Sequence, residues 1–230
     1  MNTLLVSEIG QNHNGDIELA KNMIKSSKTN GADIAKFQFY DAKKLFPKEN
    51  NPWFDYNINT ELSFDQVEEL FAFCNQIGIE FMASTFDIQR LEFLESIGVK
   101  RHKIASRSIF DQDLIEAVIS TEKEVLISLG QWKKTELPKF SARHNVKFLF
   151  CVSDYPAKLE NISFSDVDFS IYSGFSDHTI GIDAAKVAIS RGAVIVEKHF
   201  TLDKSSYGPD HSCSMTPNEL KELDRFRKVA

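Results

Sequence analysis

The chain has 230 residues, of which 42% are hydrophobic and 26% charged, and its formal net charge is −6. This composition is typical of one large globular domain and excludes the disordered, collagenous and coiled-coil classes. The acidic balance argues against nucleic acid as a partner. No apolar run approaches the roughly 20 residues that span a membrane, so we expect no membrane partner. The three cysteines form no spaced framework, and we therefore expect a cytoplasmic protein.

Short runs rich in β-branched and aromatic residues alternate with longer segments of helical period. Eight runs are predicted to be strands, in chain order 4–9, 34–39, 80–83, 102–105, 125–129, 146–152, 169–172 and 194–197. The predicted helices begin near Asp16, cover 63–77, 91–97 and 114–119, resume as a weak polar helix near Thr135, and continue with 182–189 and a last helix from Asn218. Gly78 and Gly98 end two of these helices.

Strict alternation of strands and helices predicts a parallel sheet. Eight such units in this length predict a closed (β/α)8 barrel, or TIM barrel, as a single domain spanning residues 1–230. The alternative is an open, doubly wound sheet, but no G-x-G-x-x-G turn follows the first predicted strand. The one connection long enough to act as a lid runs from Asp41 to Thr60.

Polar and ionisable residues interrupt the apolar strands where each predicted strand ends. In a TIM barrel the chemistry sits at these carboxyl ends, so the interruptions together predict a functional site, although each alone is weak evidence. The residues concerned are Glu8, Lys36, Gln38, Ser84, Thr85, Lys103, Ser106, Ser128, Ser153, Tyr155, Ser176, His178, Glu197 and His199.

Two histidines follow neighbouring predicted strands and suggest a metal site. His178 lies just past the seventh strand, and His199 ends the eighth. Adjacent strands are about 4.8 Å apart, so the two imidazoles could share one ion and leave coordination positions for water and substrate. The alternative interpretation is that His178 caps the following helix with Asp177 and that His199 is a core histidine.

Two lysines in predicted strands indicate an anion site. Lys36 and Lys103 enter from different strands, and unpaired lysine rarely enters a core. Serine hydroxyls at the ends of other strands add neutral donors, which suits a ligand with both phosphate and carboxylate groups. Asp210, in the loop beyond the eighth strand, could accept hydrogen bonds from substrate hydroxyls or act as a local cap.

Six segments resemble the sialic acid synthase family, which includes synthases of N-acetylneuraminate and related nonulosonic acids and the spore coat polysaccharide proteins. They occur in the family's order and extend the resemblance from Glu8 to about Leu220. The segments are Glu8-Ile9-Gly10-Gln11-Asn12-His13-Asn14-Gly15, Ala35-Lys36-Phe37-Gln38, Lys103-Ile104-Ala105-Ser106, the stretch 174–181, the stretch 197–203, and Gly208-Pro209-Asp210-His211.

The resemblance implies a barrel that condenses phosphoenolpyruvate with an open-chain N-acetylhexosamine similar to N-acetylmannosamine and releases phosphate. It implies a divalent ion on His178 and His199, usually Mn²⁺, with Mg²⁺ or Co²⁺ as alternatives. It makes Glu8 the acid/base candidate, and Glu197 a residue that shapes the site. The residues implied to bind substrates are Lys36, Lys103, Ser106, Ser128 and Ser176 for phosphoenolpyruvate, Tyr155 and Asp210 for the sugar, and Gln38 and Ser153 beside them.

The sequence departs from the family pattern in four ways. Ser108 stands where the family has an acidic residue, Ser128-Leu129-Gly130 replaces Ser-Thr-Gly, and Ser153 replaces an asparagine. The sequence ends at Ala230 without the family's C-terminal antifreeze-like domain, which in relatives reaches into a partner subunit's site; either the sequence is part of a longer protein or the protein lacks this domain. In both cases the missing domain concerns binding of the aminosugar more than binding of phosphoenolpyruvate or the ion. A homodimer is a further expectation.

Two other functions remain open. One is a Schiff-base aldolase on the same barrel with Lys36 or Lys103 as nucleophile. The other is a non-catalytic barrel that binds phosphoenolpyruvate or a phosphosugar. The presence of Glu8 together with both histidines argues against a pure binding protein, which has no need of all three.

Overall fold

The computed structural model describes residues 3–134 and 136–230 and contains a closed barrel of parallel strands in sequence order. Its last strand pairs with its first, with His199 opposite Glu8. The (β/α)8 prediction is therefore confirmed. The strands are β1 (Leu4–Gly10), β2 (Ile34–Phe39), β3 (Glu80–Thr85), β4 (Arg101–Ile104), β5 (Glu124–Ser128), β6 (Val146–Cys151), β7 (Gly174–Asp177) and β8 (Ile195–His199).

Local signals in the sequence account for most helix boundaries. Asp16 caps the first helix by accepting hydrogen bonds from two backbone N–H groups, and Ser63 forms a capping box with Gln66. Gly78 and Gly98 end two helices in the left-handed conformation. The helices are α1 (Ile17–Thr29), α2 (Ala42–Leu45), α3 (Phe54–Asn59), α4 (Phe64–Ile77), α5 (Ile88–Ile97), α6 (Gln112–Ile119), α7 (Asp183–Ser190) and α8 (Pro217–Arg227). None of the helices in the described residues is long and apolar enough to cross a bilayer.

The predicted strand at 169–172 is wrong. The backbone there turns, with the N–H groups of Ile171 and Tyr172 both donating to the carbonyl of Asp168, and β7 begins at Gly174. Gly174 is required in this strand because a Cβ atom there would lie 2.1 Å from the carbonyl oxygen of Ile195 in β8. A search for apolar residues in the sequence misses this strand, because its first residue is a glycine that is required by packing against β8.

The connections before and after β6 contain no α-helix in the described residues. They hold short 3₁₀ turns at Lys139–Ala142, Leu159–Asn161 and Phe164–Asp166. The predicted polar helix begins at Thr135, which lies outside the described residues, and between residue 136 and β6 only the turn at Lys139–Ala142 is helical.

An apolar layer closes the lower part of the barrel interior and supports a polar layer above it. Because side chains two residues apart in a strand share a face, the next inward positions carry the polar groups. The apolar layer consists of Val6, Ile34, Met82, Leu126, Leu149 and Ile195. Two residues further on lie Glu8, Lys36, Ser84, Ser128, Cys151 and Glu197.

The connection predicted to be a lid is an ordered segment that contains α2 and α3. Its two ends are joined because the backbone N–H of Ala42 donates to Oε2 of Glu61 at 2.8 Å. Arg90 on α5 contacts the other oxygen of Glu61 at 3.4 Å. The segment therefore has a fixed base beside the ends of β2 and β3.

Candidate active site

Two lysines and two glutamates form a compact ionic cluster in the polar layer. The Nζ atom of Lys36 lies 2.6 Å from Oε2 of Glu8 and 3.5 Å from Oε2 of Glu197. Lys103 reaches the other oxygen of Glu197 at 3.5 Å. All four side chains are at most 6% exposed, and their formal charges cancel. Since buried charges are stable only when they are paired, each lysine depends on these carboxylates until a ligand arrives.

The electrostatics differ between the two lysines. Burial alone would lower the pKa of Lys36, but Glu197 and Glu8 outweigh it and raise the pKa. Burial lowers the pKa of Lys103, with only partial compensation by Glu197 and an opposing contribution from Lys36. Burial would raise the pKa of Glu197, but Lys103 and Lys36 hold it well below its usual range. The cluster therefore keeps Glu197 ionised.

Serine hydroxyls extend the cluster around the barrel. Lys36 donates to Ser84 at 3.2 Å, and Lys103 donates to Ser128 at 2.9 Å. Ser176 donates to Oε1 of Glu197 at 2.9 Å.

Beside these, Ser106 and Ser153 lie 3.2 Å apart, and Ser106 accepts a hydrogen bond from the backbone N–H of Gln131. Gln38 donates to Oε1 of Glu8 at 3.2 Å. The hydroxyls and the amide thus lie around the ammonium groups, and the pattern suits a multiply charged anion.

His178 and His199 lie side by side, with ring centroids 5.9 Å apart. Nδ1 of His178 lies 2.7 Å from the carbonyl oxygen of Val152, so this nitrogen carries the hydrogen and Nε2 is left as a free acceptor. Burial and the neighbouring His199 lower the pKa of His178 to about 3, which keeps the ring neutral. Nδ1 of His199 has no hydrogen-bond partner among the described residues.

His178 fits a divalent cation in tautomer and charge, and the ring of His199 lies close enough to bind the same ion. Within residues 3–134 and 136–230, no three His, Cys, Asp or Glu side chains are grouped so as to hold an ion by themselves. An ion on the two imidazoles would therefore keep positions for substrate or water, as catalytic ions do.

Tyr155 and Asp210 flank the histidines at the mouth. The ring of Tyr155 lies 4.1 Å from that of His178, centroid to centroid, and the tyrosine is 51% exposed. Oδ2 of Asp210 lies 3.9 Å from Nδ1 of His199, beyond hydrogen-bond distance. Both side chains thus border the space above the ring pair.

The residues predicted to be catalytic, substrate-binding or metal-binding all line a single cavity of about 540 Å³ at the carboxyl ends of the strands, whereas Thr85, which was also named as a polar strand end, is not among its lining residues. The structure thus brings the candidates together, while their individual roles remain predictions. Sequence reasoning missed other lining residues: Gln11 lies within a motif that was used only for the resemblance, and Phe46, Trp53, Asn57 and Arg107 lie in connections whose pattern carries no signal for the cavity.

Comparisons with known proteins agree with this architecture. The sequence profile of the NeuB family matches residues 23–229. N,N'-diacetyllegionaminic acid synthase of Legionella pneumophila is 35% identical, over 97% of this chain and 70% of that protein. Human N-acetylneuraminate-9-phosphate synthase is 32% identical, over 96% of this chain and 68% of that protein.

Two solved structures extend the comparison. The N-acetylneuraminic acid synthetase of Leptospira borgpetersenii, solved with citrate, has a TM-score of 0.92 at 30% identity and covers all of this chain and 85% of its own. A truncated 3-deoxy-D-arabino-heptulosonate 7-phosphate synthase of Thermotoga maritima has a TM-score of 0.73 at 15% identity, covers 98% of this chain and 85% of its own, and shares the fold.

Proposed function

The chain belongs to the NeuB family of sialic and related nonulosonic acid synthases, enzymes that condense phosphoenolpyruvate with an aminosugar, and we propose that its own aminosugar is an open-chain N-acetylhexosamine resembling N-acetylmannosamine. The observation that carries the proposal is the charge-neutral cluster of two lysines and two glutamates beside the pair of histidines in one cavity. Such a site offers an anion cradle and a cation site within reach of each other.

Lys36 and Lys103 would bind the phosphate and carboxylate of phosphoenolpyruvate, together with the hydroxyls of Ser106, Ser128 and Ser176. The ammonium groups are held in place by Glu8 and Glu197, so they need not be ordered when the ligand arrives. A multiply charged ligand would add its own oxygens to the ammonium groups beside the existing carboxylate contacts. Each lysine would then have a counter-ion both before and after binding.

His178 and His199 would hold the divalent cation, for which Mn²⁺ is expected and Mg²⁺ or Co²⁺ are alternatives. When bound, such an ion supplies a Lewis acid for the aldehyde oxygen of the sugar. The carbonyl of Val152 fixes the tautomer of His178 that can bind it. Tyr155 and Asp210 would orient the sugar above the rings.

The reaction forms a bond between C3 of phosphoenolpyruvate and the aldehyde carbon, adds water at C2, and breaks the C2–O bond to phosphate. Glu8 would move a proton between its carboxylate oxygen and the reacting oxygen, since Oε1 and Oε2 are both held in place by Gln38 and Lys36. The lysines would stabilise the negative charge on the departing phosphate. Glu197 would keep both ammonium groups in position.

A phosphate-release assay across candidate N-acetylated aminosugars, with Mn²⁺ and with a chelator, tests the proposal. We expect release that requires phosphoenolpyruvate, one aminosugar and the ion. Tight phosphoenolpyruvate binding by calorimetry without release from any sugar would instead indicate a non-catalytic barrel and would refute the proposed reaction.

A further inference from the structure

Two side-chain amides on the cavity wall, Gln11 and Asn57, have no role in the reaction described above. We propose that they recognise the N-acyl amide of the aminosugar, with Trp53 beside them to contact the acyl methyl group. This inference rests on the proposed function, because it names how that same site selects an acylated sugar. The amides line the cavity and are only 5% and 3% exposed.

The hydrogen-bond network determines which way the Gln11 amide faces. Its Nε2 atom lies 2.6 Å from the hydroxyl oxygen of Tyr40, 3.0 Å from Oδ1 of Asn57 and 3.2 Å from the hydroxyl oxygen of Thr60. The Tyr40 hydroxyl lies 3.0 Å from the carbonyl of Asn57 and 2.9 Å from the Thr60 hydroxyl, and Thr60 donates to the carbonyl of Tyr56. With the hydroxyl hydrogens used in this way, the NH₂ group of Gln11 shares its two hydrogens among the three oxygens and its carbonyl oxygen Oε1 faces away from them.

Asn57 is oriented by the same network. Its Oδ1 accepts from Gln11, which leaves Nδ2 as a donor. In the described part of the chain, no hydrogen bond uses Nδ2 of Asn57 or Oε1 of Gln11, and neither is among the polar atoms that are sealed from solvent without a partner. The wall therefore offers the cavity one acceptor and one donor on two anchored side chains.

An acyl amide is the substituent that satisfies this pair. Its N–H can donate to Oε1 of Gln11, and its carbonyl oxygen can accept from Nδ2 of Asn57. Trp53 lies one helical turn before Asn57, whose backbone N–H donates to the Trp53 carbonyl at 2.8 Å, and it lines the same cavity. The indole gives the acyl methyl an apolar contact that a hydroxyl or a free amine at this carbon would not use.

The position of the pair agrees with the chemistry. Gln11 directly follows β1, which carries Glu8, and a Cβ atom at Gly10 would lie 3.3 Å from Oε1 of Glu8 and 3.5 Å from the ring of His199. The acylated carbon of the sugar is the neighbour of the aldehyde carbon. A site for the acyl group must therefore lie in the cavity that holds the reacting groups, and the two amides line that cavity.

The test compares Asn57→Asp with wild type on the N-acetylated sugar and on its 2-hydroxy analogue. The substitution keeps the oxygen that accepts from Gln11 and replaces the donor with an acceptor. We expect kcat/KM for the N-acetylated sugar to fall by about 10-fold or more, and kcat/KM for the hydroxy analogue to change less than about 2-fold. Asn59→Asp is the matched control, because it adds the same charge to α3 at an exposed position, and it should discriminate as the wild type does.

Equal losses on both sugars, or no loss on the N-acetylated one, would overturn the inference. Thermal unfolding and calorimetric binding of phosphoenolpyruvate check the fold of each variant, and Asn57→Ala replaces Asn57→Asp if the latter does not fold. Absence of phosphate release from wild type with either sugar would refute the proposed function instead. Calorimetric titration of the two sugars into wild type and Asn57→Asp would then test the inference, because Asn57→Asp should weaken binding of the N-acetylated sugar and leave the Kd of the hydroxy analogue nearly unchanged.

Discussion

Lys198→Met is expected to destabilise the protein strongly, because it breaks a buried ion pair. Lys198 and Asp177 are adjacent on the outward side of β8 and β7, both side chains are 0% exposed, and their charged atoms are 3.0 Å apart. Lys198 also donates to the carbonyl of Thr179 at 2.7 Å. Asp177 accepts from the backbone N–H and the hydroxyl of Thr179 at 2.8 and 2.7 Å.

The magnitude follows from what each substitution leaves behind. Removing Lys198 alone leaves a buried carboxylate with two hydrogen bonds and no counter-ion, which costs about 3–5 kcal/mol. For a chain of this length that corresponds to a drop in Tm of roughly 6–20 °C. Asp177→Asn combined with Lys198→Met removes both charges and leaves the Thr179 carbonyl without its donor, so about 1–3 kcal/mol should be lost. The double variant is therefore expected to be more stable than Lys198→Met.

Urea unfolding followed by circular dichroism measures these differences. Lys158→Met is the control, since its pair with Glu160 is exposed and its removal should change the free energy of unfolding by less than about 1 kcal/mol. A loss below about 1 kcal/mol in Lys198→Met would refute the reasoning. So would a double variant as unstable as the sum of the two single variants.

Four further predictions concern the site and pH. His178→Ala and His199→Ala should each abolish metal-dependent phosphate release without loss of circular dichroism, and full activity in either variant would remove the metal assignment. Lys36→Met should raise the KM for phosphoenolpyruvate at least about 10-fold and change the KM for the sugar little. Borohydride added with substrate should trap no adduct on Lys103. A chelator-insensitive adduct on Lys103 would instead favour the aldolase, which the lowered pKa of Lys103 supports. Burial, opposed only in part by Asp16, lowers the pKa of His13 from 6.5 to about 4, so the unfolded chain takes up a proton between these values that the folded chain does not. Stability should therefore fall by about 3 kcal/mol as the pH decreases from about 6.5 to about 4, and His13→Gln should remove this part of the slope in urea unfolding at a series of pH values.

Much of the site could be predicted because it follows from strand periodicity. Ile34 lies in the apolar layer and Lys36 in the polar layer, and Ile195 and Glu197 repeat the relation in β8. Once the chain is known to form a barrel, a polar residue at the end of such a run must face the mouth, whatever the rest of the molecule does. The prediction failed at β7, where the strand begins on Gly174 because of its packing against Ile195, a reason that no neighbour in sequence reveals.

The alternation of strands and helices, the helix caps and the helix-ending glycines are local properties of the sequence. The sequence alone was therefore sufficient to predict the barrel and the set of polar residues at the strand ends. Contacts between distant residues required the folded structure. The amides of Gln11 and Asn57 meet only because the segment with α2 and α3 folds over β1, and Lys198 meets Asp177 only because β8 lies beside β7. The two partners in each contact are 46 and 21 residues apart in the sequence. Because these polar groups are buried, they cannot hydrogen-bond to water and need the partner that the fold places beside them.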